Sequence, residues 1–119
     1  MLQFRLIPND AFLLIQLEGL VSLDAWQQVL AELESTLAQA QSDRLVLDLR
    51  GLLGWLGTPE RRSVGAMMAT HFARMHKVAL VIQAEKITGV VEAEARRLGC
   101  DLKLFSNFDE AAAWVAVRA

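Results

Sequence analysis

The sequence is poor in residues that cross-link or interrupt a chain. Its 119 residues include one cysteine, two prolines and no tyrosine. The single thiol, Cys100, cannot form an intramolecular disulfide, and a chain of this length buries enough apolar surface to fold as one domain without one. We therefore expect one domain over residues 1–119. The lone cysteine and the lack of a secretory leader at the start of the sequence predict a cytoplasmic location.

The sequence also lacks an excess of charge and a long apolar segment. The net charge is −2, and no basic stripe suited to nucleic-acid phosphates is present. Arg61, Arg62 and Arg74 form a modest basic cluster that would either steer an acidic partner or, as we expect, lie on a solvated helix face. Apolar runs such as residues 11–15 are far shorter than the ~20 residues of a membrane span. We therefore expect neither nucleic-acid binding nor a transmembrane segment.

Hydrophobic periodicity predicts strands and helices in alternation. Residues 2–6 alternate between apolar and polar, and residues 12–17 form a more apolar strand after a turn, which predicts a hairpin. Apolar residues at helical spacing predict a helix over residues 23–40, which Ser22 caps.

The rest of the chain continues this alternation. Buried strands are predicted at 44–50, 77–82 and 102–105, and helices at 59–75, at 88–98 and after the capping residue Asn107. The helix at 88–98 is expected to end at Gly99 in a left-handed conformation. The order ββαβαβαβα predicts an α/β fold with a mixed sheet of about five strands, an N-terminal β-hairpin and four helices.

The segment 51–57, with the sequence Gly-Leu-Leu-Gly-Trp-Leu-Gly, is predicted to be an apolar loop. It follows a buried strand and precedes a helix that we expect Thr58 to cap, with Pro59 at its first position. In open α/β sheets, ligands and partners bind beyond the carboxyl ends of the strands. The glycine spacing matches neither G-x-x-x-x-G-K-[ST] nor G-x-G-x-x-G, the two glycine patterns that bind phosphates. We therefore expect apolar contacts here instead of a nucleotide site.

Two stretches point to a family. The strand end Val46-Leu-Asp-Leu-Arg-Gly51 and the closing Leu104-Phe-Ser-Asn-Phe-Asp-Glu-Ala-Ala-Ala-Trp114, in this element order, resemble the STAS superfamily. Within it, the chain resembles the SpoIIAA-like (STAS/SEC14-like) small bacterial proteins, which are mostly of unknown function. The resemblance covers essentially the whole chain and implies the STAS fold.

The resemblance does not extend to the phosphorylation motif of the superfamily. Members that antagonise anti-sigma factors carry Asp-Ser-Ser/Thr-Gly-x-Gly in the loop after this strand, and its serine is phosphorylated. This chain has Leu56-Gly57-Thr58-Pro59-Glu60-Arg61 there, so only Thr58 falls near the switch position. The resemblance therefore does not imply phosphorylation-controlled antagonism.

Nine side chains form the candidate binding surface: Asp48, Arg50, Leu52, Leu53, Trp55, Leu56, Thr58, Met67 and Met68. The leucines and the tryptophan fit a groove or contact patch, and the methionines would form an adaptable wall. The charged pair would bind a polar group, and Thr58 would accept a phosphate. Each also has a structural interpretation: core packing for the apolar residues, a tie at the strand end for the charged pair and a helix cap for Thr58.

Two functions remain open. One is a non-catalytic interaction module, in which residues 51–57 and the second helix bind a protein partner or a second copy. The other is a carrier of a small amphipathic or lipid-like ligand, suggested by the apolar loop and the SEC14-like resemblance. A carrier predicts an internal cavity on the order of a few hundred Å³ that reaches this loop.

The sequence gives little support to catalysis. No nucleophile, acid and base can be assembled from it, so enzymatic activity is not expected. His71 and His76 are spaced to lie on different faces of one helix, and neither a metal nor a cofactor is expected.

Overall fold

The computed structural model describes residues 1–117, in which strands and helices alternate in the predicted order ββαβαβαβα. The strands are β1 (Leu2–Ile7), β2 (Leu13–Leu20), β3 (Arg44–Leu53), β4 (Lys77–Val81) and β5 (Leu102–Phe105). The helices are α1 (Leu23–Gln39), α2 (Thr58–His71), α3 (Val90–Arg97) and α4 (Phe108–Ala116), with a short 3-10 helix at Ala84–Lys86. The predicted α/β class and the mixed five-stranded sheet are confirmed.

The strands lie in the sheet in the order of the chain. β1 pairs antiparallel with β2 as the predicted hairpin, and β2 to β5 are parallel. Parallel crossovers are right-handed, so three successive crossovers in one direction place α1, α2 and α3 on the same face of the sheet. Among the described helices, α4 alone lies on the other face, over β3, β4 and β5. Leu14 of β2 belongs to the cluster beneath α4, but most of that face of β1 and β2 has no described helix above it.

Two apolar clusters follow from this arrangement. The larger lies between α1, α2, α3 and the sheet, and its most buried large side chains include Leu30, Leu33, Leu45, Leu47, Phe72 and Leu80. The smaller lies beneath α4 and includes Val46, Ala79, Val81, Ala111 and Val115. Among the described residues, no helix is both long and apolar enough to cross a membrane.

Three helix ends match the sequence prediction. Ser22 Oγ accepts a hydrogen bond of 3.0 Å from the Ala25 amide at the start of α1, and Asn107 Oδ1 does the same for Glu110 in α4. Gly99 follows α3 with φ of 93°, a left-handed conformation that glycine adopts without strain.

The start of α2 differs from the prediction. Its N-cap is Gly57, Thr58 is the first helical residue, and no side chain caps the helix. The prediction that Thr58 caps α2 is therefore wrong. Because the first amides of a helix need no intrahelical acceptor, Pro59 fits the second helical position as well as the first. The helix also ends at His71, short of the predicted residue 75.

Two buried cations hold the C-terminal end of α4. Arg44 on β3 donates to the carbonyl oxygens of Val115 and Val117, and Lys77 on β4 donates to those of Trp114 and Val117. The last turn of α4 has no basic residue of its own. These strand residues therefore satisfy its free carbonyls and complement the negative end of its dipole.

Candidate functional site

β3 runs to Leu53, so the predicted loop 51–57 is a strand for its first three residues. The cause is a β-bulge: Gln16 pairs with Asp48 and Glu18 pairs with Gly51, so β3 has one more residue than β2 between these pairs. Gly51 suits the crowded side of the bulge, because a Cβ there would lie 3.2 Å from the Leu17 carbonyl oxygen. Glycine at this position therefore continues the strand instead of ending it.

The bulge changes which leucines enter the core. Without it, Leu49 and Leu53 would lie on one face and Leu52 on the other. With it, Leu49 and Leu52 both lie in the larger apolar cluster, and Leu53 is left exposed.

The predicted pair Asp48 and Arg50 lies at this bulge. The Asp48 carboxylate accepts hydrogen bonds from the Arg50 backbone N–H (3.1 Å), Nε (2.9 Å) and Nη2 (2.8 Å). Burial alone would raise the pKa of Asp48, but the bonds and charge of Arg50, with a contact from Gln16, outweigh it and lower the pKa. Arg50 also lies over the Phe108 ring of α4, 5.8 Å from its centroid. The pair thus ties the strand end together, as its structural interpretation predicts.

An exposed apolar surface begins just after the bulge. We define the apolar edge patch as Leu20, Leu53 and Trp55, which are 61%, 64% and 59% exposed. Leu20 and Leu53 are direct partners across β2 and β3. Gly54 turns the chain between Leu53 and Trp55 with φ of 96°. A Cβ at Gly54 would also lie 3.1 Å from Leu20 Cδ1, so both backbone and space require glycine there.

Arg61 of α2 fixes the segment that carries Trp55. Its Nε donates to the Leu56 carbonyl (2.8 Å) and its Nη1 to the Lys86 carbonyl (2.7 Å). Its guanidinium also lies over the Trp55 ring, 4.4 Å from the centroid. The expectation that Arg61 lies on a solvated helix face is therefore wrong, because it joins two loops and supports the tryptophan.

Two further polar side chains hold the end of β3 from the neighbouring segment. Lys86 Nζ donates to the Leu52 carbonyl at 3.1 Å, and Gln83 Nε2 donates to the Arg50 carbonyl at 2.8 Å. The strand end and the loop after it are thus attached at several points.

The remaining apolar candidates lie beneath this surface. Leu52 and Met68 are core residues, whereas Leu56 and Met67 are half-buried and pack against the core. Four of the residues that line a cavity of about 70 Å³ here are Leu49, Leu52, Leu56 and Met68. This is well below the roughly 300–1,000 Å³ typical of small-molecule pockets. Only Leu53 and Trp55 of the predicted apolar set are free for a partner.

Thr58 lies beside the patch and is exposed. Its hydroxyl makes no capping bond, although Thr58 is the first residue of α2.

The residues that sequence reasoning missed are Leu20, Gln83 and Lys86. The pairing of Leu20 with Leu53 depends on strand register, and the positions of Gln83 and Lys86 depend on a 3-10 helix. Local periodicity in the sequence indicates neither feature.

The comparisons with known proteins agree with this architecture. The SpoIIAA-like family model matches residues 12–116. No curated protein matches the chain. An anti-sigma factor antagonist from Mycobacterium paratuberculosis is similar in structure, with a TM-score of 0.64 and 14% identity over 98% of this chain and 96% of that one. An uncharacterised protein with a SpoIIAA-like fold from Shewanella loihica has a TM-score of 0.60 and 18% identity, over 96% of this chain and 93% of that one. At these identities the likeness shows the fold.

Proposed function

Because this chain belongs to the SpoIIAA-like family, we propose that it is a non-catalytic regulatory module that binds another protein through the apolar edge patch. The observation that carries the proposal is the exposure of Leu20, Leu53 and Trp55 at one end of the sheet. Leu20 and Leu53 are neighbours across two strands, and Trp55 follows Leu53 by two residues. Large exposed apolar side chains grouped in this way are typical of protein interaction sites. The module would act by binding its partner protein and would not convert a substrate.

The attachment of the patch supports binding without rearrangement. Arg61, Lys86 and Gln83 hold the backbone from Arg50 to Leu56 through carbonyl hydrogen bonds. A surface fixed in this way loses little conformational freedom when a partner binds, and this favours affinity. Trp55 supported by a guanidinium is also the type of residue that dominates binding energy at protein interfaces.

The similar solved protein is described as an anti-sigma factor antagonist, which supports a protein as the partner. The chain lacks the phosphorylatable serine motif in the corresponding loop, where it has Leu56-Gly57-Thr58-Pro59. We therefore propose binding that does not depend on phosphorylation of a serine there.

The chemistry of the titratable groups supports a non-catalytic role. Asp48 is engaged by Arg50, and His71 lies on the opposite face of the sheet, with Nδ1 2.8 Å from Glu34 Oε1. Cys100 is buried, and burial raises the pKa of its thiol, with a further contribution from Asp101. A raised pKa disfavours the nucleophilic thiolate. The single thiol also favours a reducing compartment, and on that ground we propose the cytoplasm.

A carrier of a small amphipathic or lipid-like ligand is the second candidate. The apolar cavity beneath Leu56 favours it. At about 70 Å³, the cavity would have to expand several-fold to enclose an acyl chain. Native mass spectrometry of the protein taken from its own cells tests this candidate, because a carrier would release a bound molecule on denaturation.

The interaction proposal is tested with Leu53→Asp and Trp55→Asp, which place a charge in the patch. The matched control is Leu98→Asp, because Leu98 is an exposed leucine at the end of α3. We expect a partner recovered from host lysate with the wild-type chain to be lost with both patch variants and kept with the control. Thermal stability should change by no more than about 0.5 kcal/mol in all three variants. Recovery of the same proteins with every variant would contradict the proposal.

A further inference from the structure

The two edges of the sheet are protected differently. At β5, the Leu104 N–H donates to Glu92 Oε1 at 2.9 Å, and the Leu102 carbonyl accepts from Arg96 Nε at 2.9 Å. Both side chains come from α3. They occupy the backbone groups that an added strand would need, so this edge is closed to further pairing.

The edge at β1 has no such cover. Among residues 1–117, the backbone of Leu2–Ile7 makes hydrogen bonds only within its pairing with β2. The strand, with the sequence Leu-Gln-Phe-Arg-Leu-Ile, has six residues and neither the proline nor the lysine that protect edges in other proteins. Its one charged residue, Arg5, donates to Gln16 of β2. The outer N–H and C=O groups of β1 are therefore available to another strand.

We infer that two copies of this chain pair through β1, antiparallel, about a twofold axis at Phe4. The two sheets would then join into one sheet of ten strands. In an antiparallel pair, directly opposite residues lie on the same face of the sheet. This condition and the axis at Phe4 place Gln3 opposite Arg5 of the second copy and Leu2 opposite Leu6 of the second copy.

Side-chain chemistry selects this register. Leu6 is 49% exposed in the single chain and would gain Leu2 as an apolar neighbour. Gln3 makes no side-chain hydrogen bond among the described residues, and its amide oxygen would accept from the second copy's arginine. Arg5 uses Nη2 for Gln16 at 2.8 Å and keeps other donors free.

A dimer whose axis lies at the next residue, Arg5, would be less stable. An axis at Arg5 would place two guanidinium groups directly opposite each other, and like charges in that position are destabilising. Of these two registers, the axis at Phe4 is therefore the one that gives Arg5 an acceptor and Leu6 an apolar neighbour.

Paired cysteines test both the contact and its register. Opposite residues have Cα atoms about 4.5–5.5 Å apart, within the range for a disulfide, whereas diagonal residues are about 7–8 Å apart. We expect an oxidised mixture of Gln3→Cys and Arg5→Cys chains to give a covalent dimer, and each variant alone to give little. Cys100 is buried and can remain. A covalent dimer from Arg5→Cys alone would overturn the register.

A second measurement does not depend on disulfides. Leu6→Lys introduces an edge charge at an exposed position, and Leu98→Lys is the matched control at 47% exposure. By sedimentation equilibrium, we expect Leu6→Lys to weaken dimerisation at least about tenfold, or roughly 1.4 kcal/mol, with the control unchanged. A wild-type chain that stays monomeric at about 1 mM would overturn the inference.

The same experiment separates this edge from the apolar edge patch. Trp55→Asp should leave the dimer intact, since Trp55 lies outside β1. If Trp55→Asp dissociates the dimer and Leu6→Lys does not, self-association occurs through the patch and the inference is wrong. Loss of a protein partner with Trp55→Asp tests the proposed function on its own.

Discussion

The carboxylate of Asp48 binds the residue two positions further along its own strand, Arg50, through both the backbone amide and the guanidinium. Arg50 has no partner in β2, because the bulge skips it. Its amide would therefore lack an acceptor in the sheet, and Asp48 supplies one. The pair stabilises the bulge, and the bulge in turn directs Leu53 to the surface.

Asp48→Asn tests this role. We expect a loss of about 1–3 kcal/mol in the free energy of unfolding, because the charged acceptor is replaced by a neutral one. Urea denaturation measures it, with Asp10→Asn, an exposed turn residue, as the control.

The pH dependence of that loss has a definite sign. The pKa of Asp48 is lowered in the folded chain relative to its ordinary value of 3.8. Its contribution is therefore complete above that value and disappears as the pH falls through the folded pKa. The difference between wild type and Asp48→Asn should shrink in strong acid, and a difference that stays constant there would contradict the assignment.

A comparison of two hydroxyl deletions tests the helix starts. Ser22→Ala removes a side-chain cap from α1 and should cost about 1 kcal/mol. Thr58→Ala removes no cap from α2 and should cost less than about 0.5 kcal/mol. Thermal unfolding of both variants under the same conditions measures the difference. Equal losses would mean that the Thr58 hydroxyl does cap its helix in solution.

Much of the fold could be predicted from local signals. Apolar spacing indicated α1, and the caps Ser22 and Asn107 marked helix starts correctly, because these features depend on a few neighbouring residues. The end of β3 could not be predicted in this way. Gly51 in isolation suggests a loop, and only its neighbour Glu18 in β2 shows that it continues a bulged strand.

The sequence indicated an apolar segment at the end of β3 but not which of its side chains are exposed. Leu52 and Leu53 are consecutive leucines that lie on opposite faces of the strand, and the bulge before them decides which one faces the core. Arg61 resembled any solvated helix residue, since its acceptors, the carbonyls of Leu56 and Lys86, belong to segments that only tertiary structure brings together.

Arg61→Lys should loosen the loop that carries Trp55. A lysine keeps the charge but cannot donate to both the Leu56 and Lys86 carbonyls in the fixed geometry of a guanidinium. We expect amide hydrogen exchange in residues 54–57 to accelerate about tenfold or more, since two hydrogen bonds worth roughly 0.5–1.5 kcal/mol each are weakened. Arg62→Lys, at an exposed neighbouring position, is the control. Equal exchange in both variants would contradict the role of Arg61.

Removing the cover from β5 should create a second open edge. In a Glu92→Ala and Arg96→Ala double variant, the Leu104 amide and the Leu102 carbonyl lose their side-chain partners. We expect concentration-dependent higher assemblies, because a chain with two open edges can extend in both directions. Light scattering measures this, with Arg97→Ala, which affects only a pair with Glu94, as the control. A double variant no larger than the control would show that the edge is protected by other means.

The extra residue in β3 decides which of two consecutive leucines meets solvent. Deleting Arg50, which has no partner in β2, would make Leu49 and Gly51 consecutive, and regular alternation would still place Leu52 inward and Leu53 outward. Loss of the bulge at constant chain length would instead shift the pairing beyond Leu49 by one residue, so that Leu53 would turn inward and Leu52 outward. A relative of the same length without the bulge would thus present a different leucine to solvent.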